Sequence, residues 1–122
     1  MKPFLILSWC IIACTSEPLP PKITAPYSAL SVNEGKVLYD FYCQSCHGKE
    51  GKGDGLNAFT LSPPPSDLTL TKTTSKTDEQ LKIIIGKGSD INKKAGAMPP
   101  YGLTLKDYQI KDIVSYIRKL AK

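Results

Sequence analysis

The sequence predicts a small all-α domain in which about three main helices are joined by long loops. Three segments of the 122-residue chain carry apolar residues at helical spacing, and each begins near residues that commonly cap a helix. No segment alternates apolar and polar residues in the manner of a half-buried strand. The connecting segments are rich in glycine and proline. Connecting segments of this length require an interaction other than aliphatic packing to hold them in place.

The first 13 residues, MKPFLILSWCIIA, are predicted to be a signal peptide of the lipoprotein type. An apolar run from Phe4 to Ala13 follows a single lysine, and its ten residues are too few to span a bilayer. The end of this run resembles the lipobox of bacterial lipoproteins, in which aliphatic and small residues precede an acylated cysteine. Cys14 is therefore the predicted lipidation site. An ordinary signal peptide with an incidental cysteine, or an uncleaved anchor, is the alternative.

Residues 14–30 are predicted to be the lipidated cysteine and a proline-rich tether. The stretch after Cys14, TSEPLPPKITAPYSAL, contains four prolines and has no helical periodicity. Extended at about 3 Å per residue, it would hold a domain up to roughly 50 Å from a membrane. The remaining residues, 31–122, are assigned to one helical domain.

Each of the three helices is placed by its capping residues and its apolar spacing. The first is predicted to begin at a capping box, Ser31 to Glu34, and to end near Cys43. The second begins at Thr77, in the stretch TDEQ, and is predicted to stop at Gly86. Residues 104–107 cap the third. Five apolar residues follow at helical spacing in it: Ile110, Ile113, Val114, Ile117 and Leu120.

The stretch YCQSCHG places two thiols three residues apart and the only histidine of the chain directly after the second. A zinc site would need four ligands, and adjacent Cys46 and His47 cannot easily both bind one tetrahedral ion. A thioredoxin-like dithiol is expected at a helix start within a βαβ frame, whereas this motif closes a helix. The remaining interpretation is one covalent haem c, with Cys43 and Cys46 forming thioether bonds and His47 binding the iron.

Met98 is the expected second axial ligand of the iron. It is the only methionine left once the signal peptide is removed, and it lies in the loop GAMPPYG, 51 residues beyond His47. Its glycine and proline neighbours restrain the backbone, as a ligand requires. The alternative is a methionine that fills a gap in the core.

With these residues in place, the region from Ser31 to Lys122 resembles a class I cytochrome c, here as a bacterial lipoprotein. The resemblance implies that Gly35 and Tyr39 of the first helix pack against Ile113 and Tyr116 of the last helix. A glycine inside a helix costs about 1 kcal/mol relative to alanine. Its presence at position 35 therefore favours a close approach of the two backbones there.

The resemblance also implies how the site works. A proline carbonyl in SPPPSDLT is expected to accept the Nδ1 proton of the ligating histidine, and Pro64 is the expected residue. Histidine and methionine together fill both axial positions of the iron. The implied function is therefore one-electron transfer between respiratory or periplasmic redox proteins, without enzymatic activity or a small-molecule substrate.

Charge and targeting suggest partners and location. Loss of the signal peptide would lower the formal charge from +5 to +4, and this mild basic bias lacks the concentrated stripe typical of nucleic-acid-binding proteins. Lys49, Lys52, Lys93 and Lys94 would favour an acidic docking face, although a merely solvated surface explains each of them equally well. The lipid anchor predicts the periplasmic or extracytoplasmic side of a bacterial membrane.

Two other functions stay open. One is a haem-based sensor or enzyme with a displaceable sixth ligand, and the other is a permanent cytochrome subunit of a larger oxidoreductase complex. The first would require Met98 to leave the iron, whereas the second would use the same residues as a free carrier.

Overall fold

The computed structural model describes residues 32–88 and 98–122 of the chain. Within these residues all regular structure is helical and no strand occurs, which confirms the all-α prediction. The helices are α1 (Val32–Tyr42), α2 (Gln44–His47), α3 (Thr71–Thr74), α4 (Asp78–Lys87) and α5 (Asp107–Leu120), with 3₁₀ turns at Ala58–Thr60 and Tyr101–Leu103. No helix in the described ranges is long and apolar enough to cross a bilayer. The signal peptide, the tether and Ser31 lie outside the described residues.

α1, α4 and α5 are the three main helices that the sequence predicted. α2 and α3 are single turns of four residues each, too short to show a periodic pattern. α5 begins at Asp107, within the predicted start at residues 104–107. There the backbone N–H of Lys106 donates a hydrogen bond to Oε1 of Gln109 at 2.9 Å.

α4 begins as predicted but ends later than predicted. The Thr77 hydroxyl accepts a hydrogen bond from the N–H of Gln80 at 3.2 Å, and Oε1 of Gln80 accepts one from the N–H of Thr77 at 2.8 Å. This reciprocal pair is the capping box that the stretch TDEQ predicts. The predicted stop at Gly86 is wrong, because the helix continues to Lys87 and Gly88 ends it with φ of 77°. Glycine is the residue that adopts this conformation without strain.

α1 and α5 cross at short distance, and Gly35 is the residue that permits it. A Cβ atom at position 35 would lie 1.9 Å from the carbonyl oxygen of Asp112 and 3.1 Å from the Cβ of Tyr116. One turn later, the ring of Tyr39 packs on that of Tyr116 with their centroids 5.1 Å apart. Tyr39 and Ile113 are fully buried in the same core cluster. The structure thus brings together the four residues on which the sequence placed the helix crossing.

α5 contributes more buried apolar residues to the hydrophobic core than any other described helix. Four of the five residues whose spacing predicted this helix are buried, namely Ile110, Ile113, Val114 and Ile117, while Leu120 is partly buried and Tyr116 is a further buried residue. Leu81 and Ile85 of α4 and Leu38 of α1 pack against them. Burial of an aliphatic side chain of this size contributes roughly 1.5–3 kcal/mol. The three main helices therefore form one packed unit that positions the connecting segments.

Arg118, near the end of α5, binds the chain between α3 and α4. Its Nε donates a hydrogen bond to Oδ1 of Asp78 at 2.9 Å, and its Nη1 donates one to the carbonyl oxygen of Thr74 at 3.0 Å. Its Nη2 donates to the carbonyl oxygen of Lys76. A planar guanidinium can satisfy three acceptors at once, whereas an ammonium group has a different geometry. Arg118 therefore fixes this segment beside the C-terminal half of α5.

Candidate functional site

Cys43, Cys46 and His47 lie where α1 ends and the single turn α2 begins. The N–H of Cys43 donates to the carbonyl of Tyr39 at 2.8 Å, as in a continuing helix. The N–H groups of Cys46 and His47 then both donate to the carbonyl of Cys43, at 3.2 and 2.9 Å. The chain therefore makes a tight turn that carries two thiols and one imidazole. Cys43 is buried, and the other two side chains are half-buried.

The imidazole of His47 is oriented by a backbone carbonyl. Its Nδ1 lies 3.0 Å from the carbonyl oxygen of Ser66. Because a carbonyl oxygen only accepts hydrogen bonds, Nδ1 carries the proton and Nε2 keeps a lone pair for a metal. Burial lowers the pKa of His47, while the bond to Ser66 acts in the opposite direction. The net lowering favours the neutral imidazole that a metal ligand must be.

The carbonyl beside His47 belongs to Ser66, and not to Pro64 as the sequence led us to expect. Gly53 has φ of 77°, and a Cβ atom there would lie 2.5 Å from the carbonyl oxygen of Pro65. This close approach fixes Pro65 against the loop that follows the motif. The carbonyl of the next residue, Ser66, is the one that lies 3.0 Å from Nδ1 of His47.

Tyr39 connects the helix crossing to the turn that carries the histidine. Its hydroxyl donates a hydrogen bond to the carbonyl oxygen of Gly48 at 2.7 Å. Burial raises the pKa of Tyr39 above its usual value, so the hydroxyl keeps its proton and remains a donor. Gly48 has φ of 81°, which lets the chain reverse directly after His47. The position of His47 is thus fixed by two contacts, one from Tyr39 of α1 to Gly48 and one from His47 itself to the carbonyl of Ser66.

A largely apolar cavity of about 210 Å³ lies beside the motif. The four predicted ligands and attachment residues, Cys43, Cys46, His47 and Met98, all line it. The other described lining residues are mostly aromatic, aliphatic and proline side chains, among them Tyr39, Tyr101, Leu68, Leu81, Ile84, Ile85, Pro63 and Pro99. Such a lining suits a large apolar ligand with a few directed polar contacts.

Met98 reaches this cavity because its segment packs on the end of α4. A Cβ atom at Gly88 would lie 2.6 Å from the carbonyl oxygen of Met98 and 3.0 Å from the backbone nitrogen of Pro100. The side chain of Met98 is half-buried and packs against the core. The fold therefore brings Met98 and His47 to one cavity although 51 residues separate them in the sequence.

Tyr101 is a residue of the site that the sequence did not single out. Its hydroxyl donates to the carbonyl oxygen of Tyr42 at 2.8 Å, and the two rings meet edge to face with centroids 5.6 Å apart. Burial raises the pKa of Tyr101, so its hydroxyl remains a donor at neutral pH. The available signal was its place three residues after Met98, where a large aromatic residue follows two prolines.

These donors fit a covalently attached haem. Two thiols, an imidazole with a free Nε2 and a thioether are donor types that haem attachment and haem iron use, and here they share one apolar cavity. Burial, followed by the proximity of Cys46, raises the pKa of the Cys43 thiol to about 12.

Other predicted residues lie away from the cavity or outside the described residues. Lys49 and Lys52 are exposed, and Nζ of Lys52 lies 3.6 Å from the carboxylate of Glu50. Cys14, Lys93 and Lys94 fall outside the ranges that the structure describes.

Sequence comparison identifies a family and two curated relatives. A family model described as cytochrome c matches residues 32–121. Cytochrome c-555 of Methylococcus capsulatus (Bath) is 31% identical over 99 residues, which cover 80% of this chain and 68% of that protein. The cbb3-type cytochrome c oxidase subunit CcoP of Azospirillum brasilense is 26% identical over 102 residues, covering 75% of this chain. The match spans only 29% of CcoP.

Solved structures share the fold. A chain of the Kuenenia stuttgartiensis reducing HAO-like protein complex Kustc0457/Kustc0458 aligns with a TM-score of 0.59 at 27% identity. The alignment covers 80% of this chain and 45% of that one. The KustC0563 c-type cytochrome aligns with a TM-score of 0.58 over 72% of this chain and 98% of its own, and its 22% identity supports likeness of fold alone.

Proposed function

The chain belongs to the cytochrome c family, and from this premise we propose that it is a one-electron carrier with a single haem c ligated by His47 and Met98. The observation that carries the proposal is the shared cavity lined by Cys43, Cys46, His47 and Met98. A haem of this type supplies a one-electron iron couple when bound.

The residues of the site have separate tasks in this proposal. Cys43 and Cys46 supply the two sulfurs for thioether attachment. Nε2 of His47 and the thioether of Met98 would hold the iron, and with both bound no position would remain for oxygen or a substrate. The Ser66 carbonyl holds the proton on Nδ1 of His47 and so fixes the tautomer and the ring orientation. The apolar lining keeps water away from these groups.

Haem retention and ligand resistance test this function. After denaturation and acid-organic extraction, the haem is expected to stay with the polypeptide because thioether bonds are covalent. The ferric protein should show the weak long-wavelength band of sulfur ligation, and the ferrous protein should resist carbon monoxide at neutral pH. Free extraction of the haem would contradict covalent attachment. Rapid binding of carbon monoxide by the wild type would instead favour a sensor or an enzyme.

We also propose that Cys14 is lipidated and tethers the domain to the periplasmic or extracytoplasmic side of a bacterial membrane. Support comes from the lipobox-like end of the signal segment and from the prolines of residues 14–30. A diacylglycerol thioether with a further acyl chain gives stable attachment, because two chains exceed the marginal affinity of one. Metabolic labelling with a fatty acid should mark the wild type but not the Cys14→Ser variant. An unlabelled wild type would exclude the anchor.

We propose that the partners are redox proteins and that the surface by which they dock is acidic. Lys49 and Lys52 are exposed in the loop that follows the motif, which also contains Glu50 and Asp54. Electrostatic steering by such lysines makes association faster at low salt. The rate of electron transfer to an acidic redox protein should therefore fall as ionic strength rises. A rate independent of salt would remove the support for an acidic face.

A permanent place in a larger complex is the second candidate function, and the relatives favour it. CcoP is named as an oxidase subunit, and the Kuenenia chain comes from a protein complex. Native electrophoresis of gently solubilised membranes, followed by haem staining, separates the two functions. A free carrier migrates alone, whereas a subunit migrates with a larger redox assembly.

A further inference from the structure

We infer that Tyr101 is a positioning residue for Met98, because its hydroxyl ties the methionine segment to the end of α1. The inference rests on the proposed function, in which Met98 binds the iron. It concerns a side chain that donates to the backbone of Tyr42, directly before the first cysteine of the motif.

The carbonyl of Tyr42 is the acceptor of this bond because of how α1 ends. The chain turns at Cys43, and the N–H groups of Cys46 and His47 both donate to the carbonyl of Cys43. The last carbonyls of a helix have no partner within the helix and must find one elsewhere. The Tyr101 hydroxyl supplies that partner to Tyr42 at 2.8 Å, across 59 residues of sequence.

The same short segment is held on its other side by α4. A Cβ atom at Gly88 would lie 2.6 Å from the carbonyl oxygen of Met98, and one at Gly102 would lie 2.9 Å from the carbonyl oxygen of Gly86. Two consecutive prolines stiffen the backbone between Met98 and Tyr101. The segment is therefore fixed against α4 at both ends and bound to α1 through Tyr101.

Because this backbone is stiff, a constraint on Tyr101 is transmitted to Met98, three residues earlier. Loss of the Tyr101 hydroxyl leaves the ring in place. It removes one hydrogen bond from the state in which the segment holds Met98 on the iron. Loss of one ordinary hydrogen bond corresponds to a change of about fivefold in an equilibrium constant. The population in which Met98 leaves the iron should therefore rise about fivefold in Tyr101→Phe.

Imidazole titration of the ferric holoprotein measures this population, since imidazole competes with Met98 for the iron. In Tyr101→Phe, imidazole should bind about fivefold more tightly than in the wild type, and the long-wavelength band should disappear at lower imidazole concentration. Tyr108→Phe is the matched control, because it also removes a phenolic hydroxyl and Tyr108 does not line the cavity. Its affinity for imidazole should equal that of the wild type.

Val114→Ala separates positioning from general loosening of the fold. Val114 is buried in α5 and does not line the cavity. This variant should lose global stability, measured as its denaturation midpoint, without binding imidazole more tightly. Unchanged imidazole affinity in Tyr101→Phe, or an equal rise in Val114→Ala, would overturn the inference.

Met98→Ala distinguishes failure of this inference from failure of the proposed function. If Met98→Ala changes the spectrum and Tyr101→Phe leaves imidazole binding unchanged, the role of Tyr101 alone is overturned. If Met98→Ala leaves the spectrum unchanged, Met98 is not a ligand and both proposals fail.

Discussion

Gly35 of α1 lies directly against the carbonyl oxygen of Asp112 in α5, so that a Cβ atom at position 35 would be only 1.9 Å from that oxygen. Gly86 of α4 has a different environment. The nearest atom to a Cβ at position 86 would be Cδ1 of Ile110, at 4.0 Å. Of the described α-helices, α1 and α4 each contain one glycine, and packing requires the glycine of α1 but not that of α4.

Gly35→Ala is expected to destabilise the protein by about 1–3 kcal/mol or more, because the new methyl group must displace backbone. Gly86→Ala makes the same chemical change where the new methyl group meets only an ordinary van der Waals contact with Ile110. It should leave stability unchanged or raise it by up to about 1 kcal/mol, since alanine is the better helix former. Chemical denaturation of the two holoproteins measures both effects. Equal stability of the two variants would show that the helix crossing tolerates a side chain at position 35.

Met98→Ala is expected to open the sixth position of the iron while leaving the haem covalently attached. The long-wavelength band should be lost, carbon monoxide should bind the ferrous protein, and the reduction potential should fall because the thioether favours ferrous iron. Visible spectroscopy and potentiometry measure these changes. Leu103→Ala changes an exposed residue of the same segment that does not line the cavity, so its spectrum should retain the band. Loss of the band in both variants would assign the effect to the loop and not to the ligand.

Arg118→Lys is expected to cost roughly 1–3 kcal/mol of stability although the charge is kept. The lysine side chain cannot reproduce the planar fork that donates to Asp78, Thr74 and Lys76. Denaturation midpoints measure the loss. Lys119→Ala, one residue later and exposed, should have a much smaller effect. A midpoint for Arg118→Lys equal to that of the wild type would mean that these three bonds contribute nothing beyond the charge.

Asp107 predicts a pH dependence with a definite sign. Its carboxylate lies 2.9 Å from Nζ of Lys111 and 3.1 Å from Nζ of Lys82, and hydrogen bonds from Lys111 and then Lys82 hold its pKa below the ordinary 3.8. A lowered pKa in the folded state contributes stability above the unfolded value, and this is lost as pH falls through the folded value. The contribution is therefore present at neutral pH and declines below the ordinary value.

Asp107→Asn should accordingly be less stable than the wild type at neutral pH, and the difference should vanish in strong acid. Denaturation of both proteins from neutral pH into the acid range measures the two curves. High salt should reduce the difference at neutral pH, because the carboxylate is exposed and its ion pairs are screened. Parallel curves that never converge would show that another property of the substitution is responsible.

Short-range patterns in the sequence predict the main helices well. The capping box at Thr77 depends on four adjacent residues, and the apolar face of α5 repeats within one helix. The end of α4 was harder to predict from the sequence, because Gly86 and Gly88 are both residues that commonly end a helix. α4 ends where Gly88 contacts the Met98 segment, and this tertiary contact is not visible in the local sequence.

The candidate site divides in the same way. Cys43, Cys46 and His47 are visible as one short motif, whereas the carbonyl partner of His47 is not. The prolines before Ser66 offer similar carbonyls in sequence, and the approach of Gly53 to this segment decides which carbonyl faces the ring. The hydrogen-bond partner of Tyr101 cannot be identified from local sequence, because the bond joins residues 59 positions apart.

The bond from the Tyr39 hydroxyl to the Gly48 carbonyl has a consequence for how the protein opens. Tyr39 is fully buried at the crossing of α1 and α5, and Gly48 directly follows His47. Amide protons of the histidine turn should therefore exchange with solvent only when α1 and α5 separate, as one cooperative unfolding unit. A docking partner would then meet a rigid motif, in which His47 is as resistant to local fluctuation as the centre of the core.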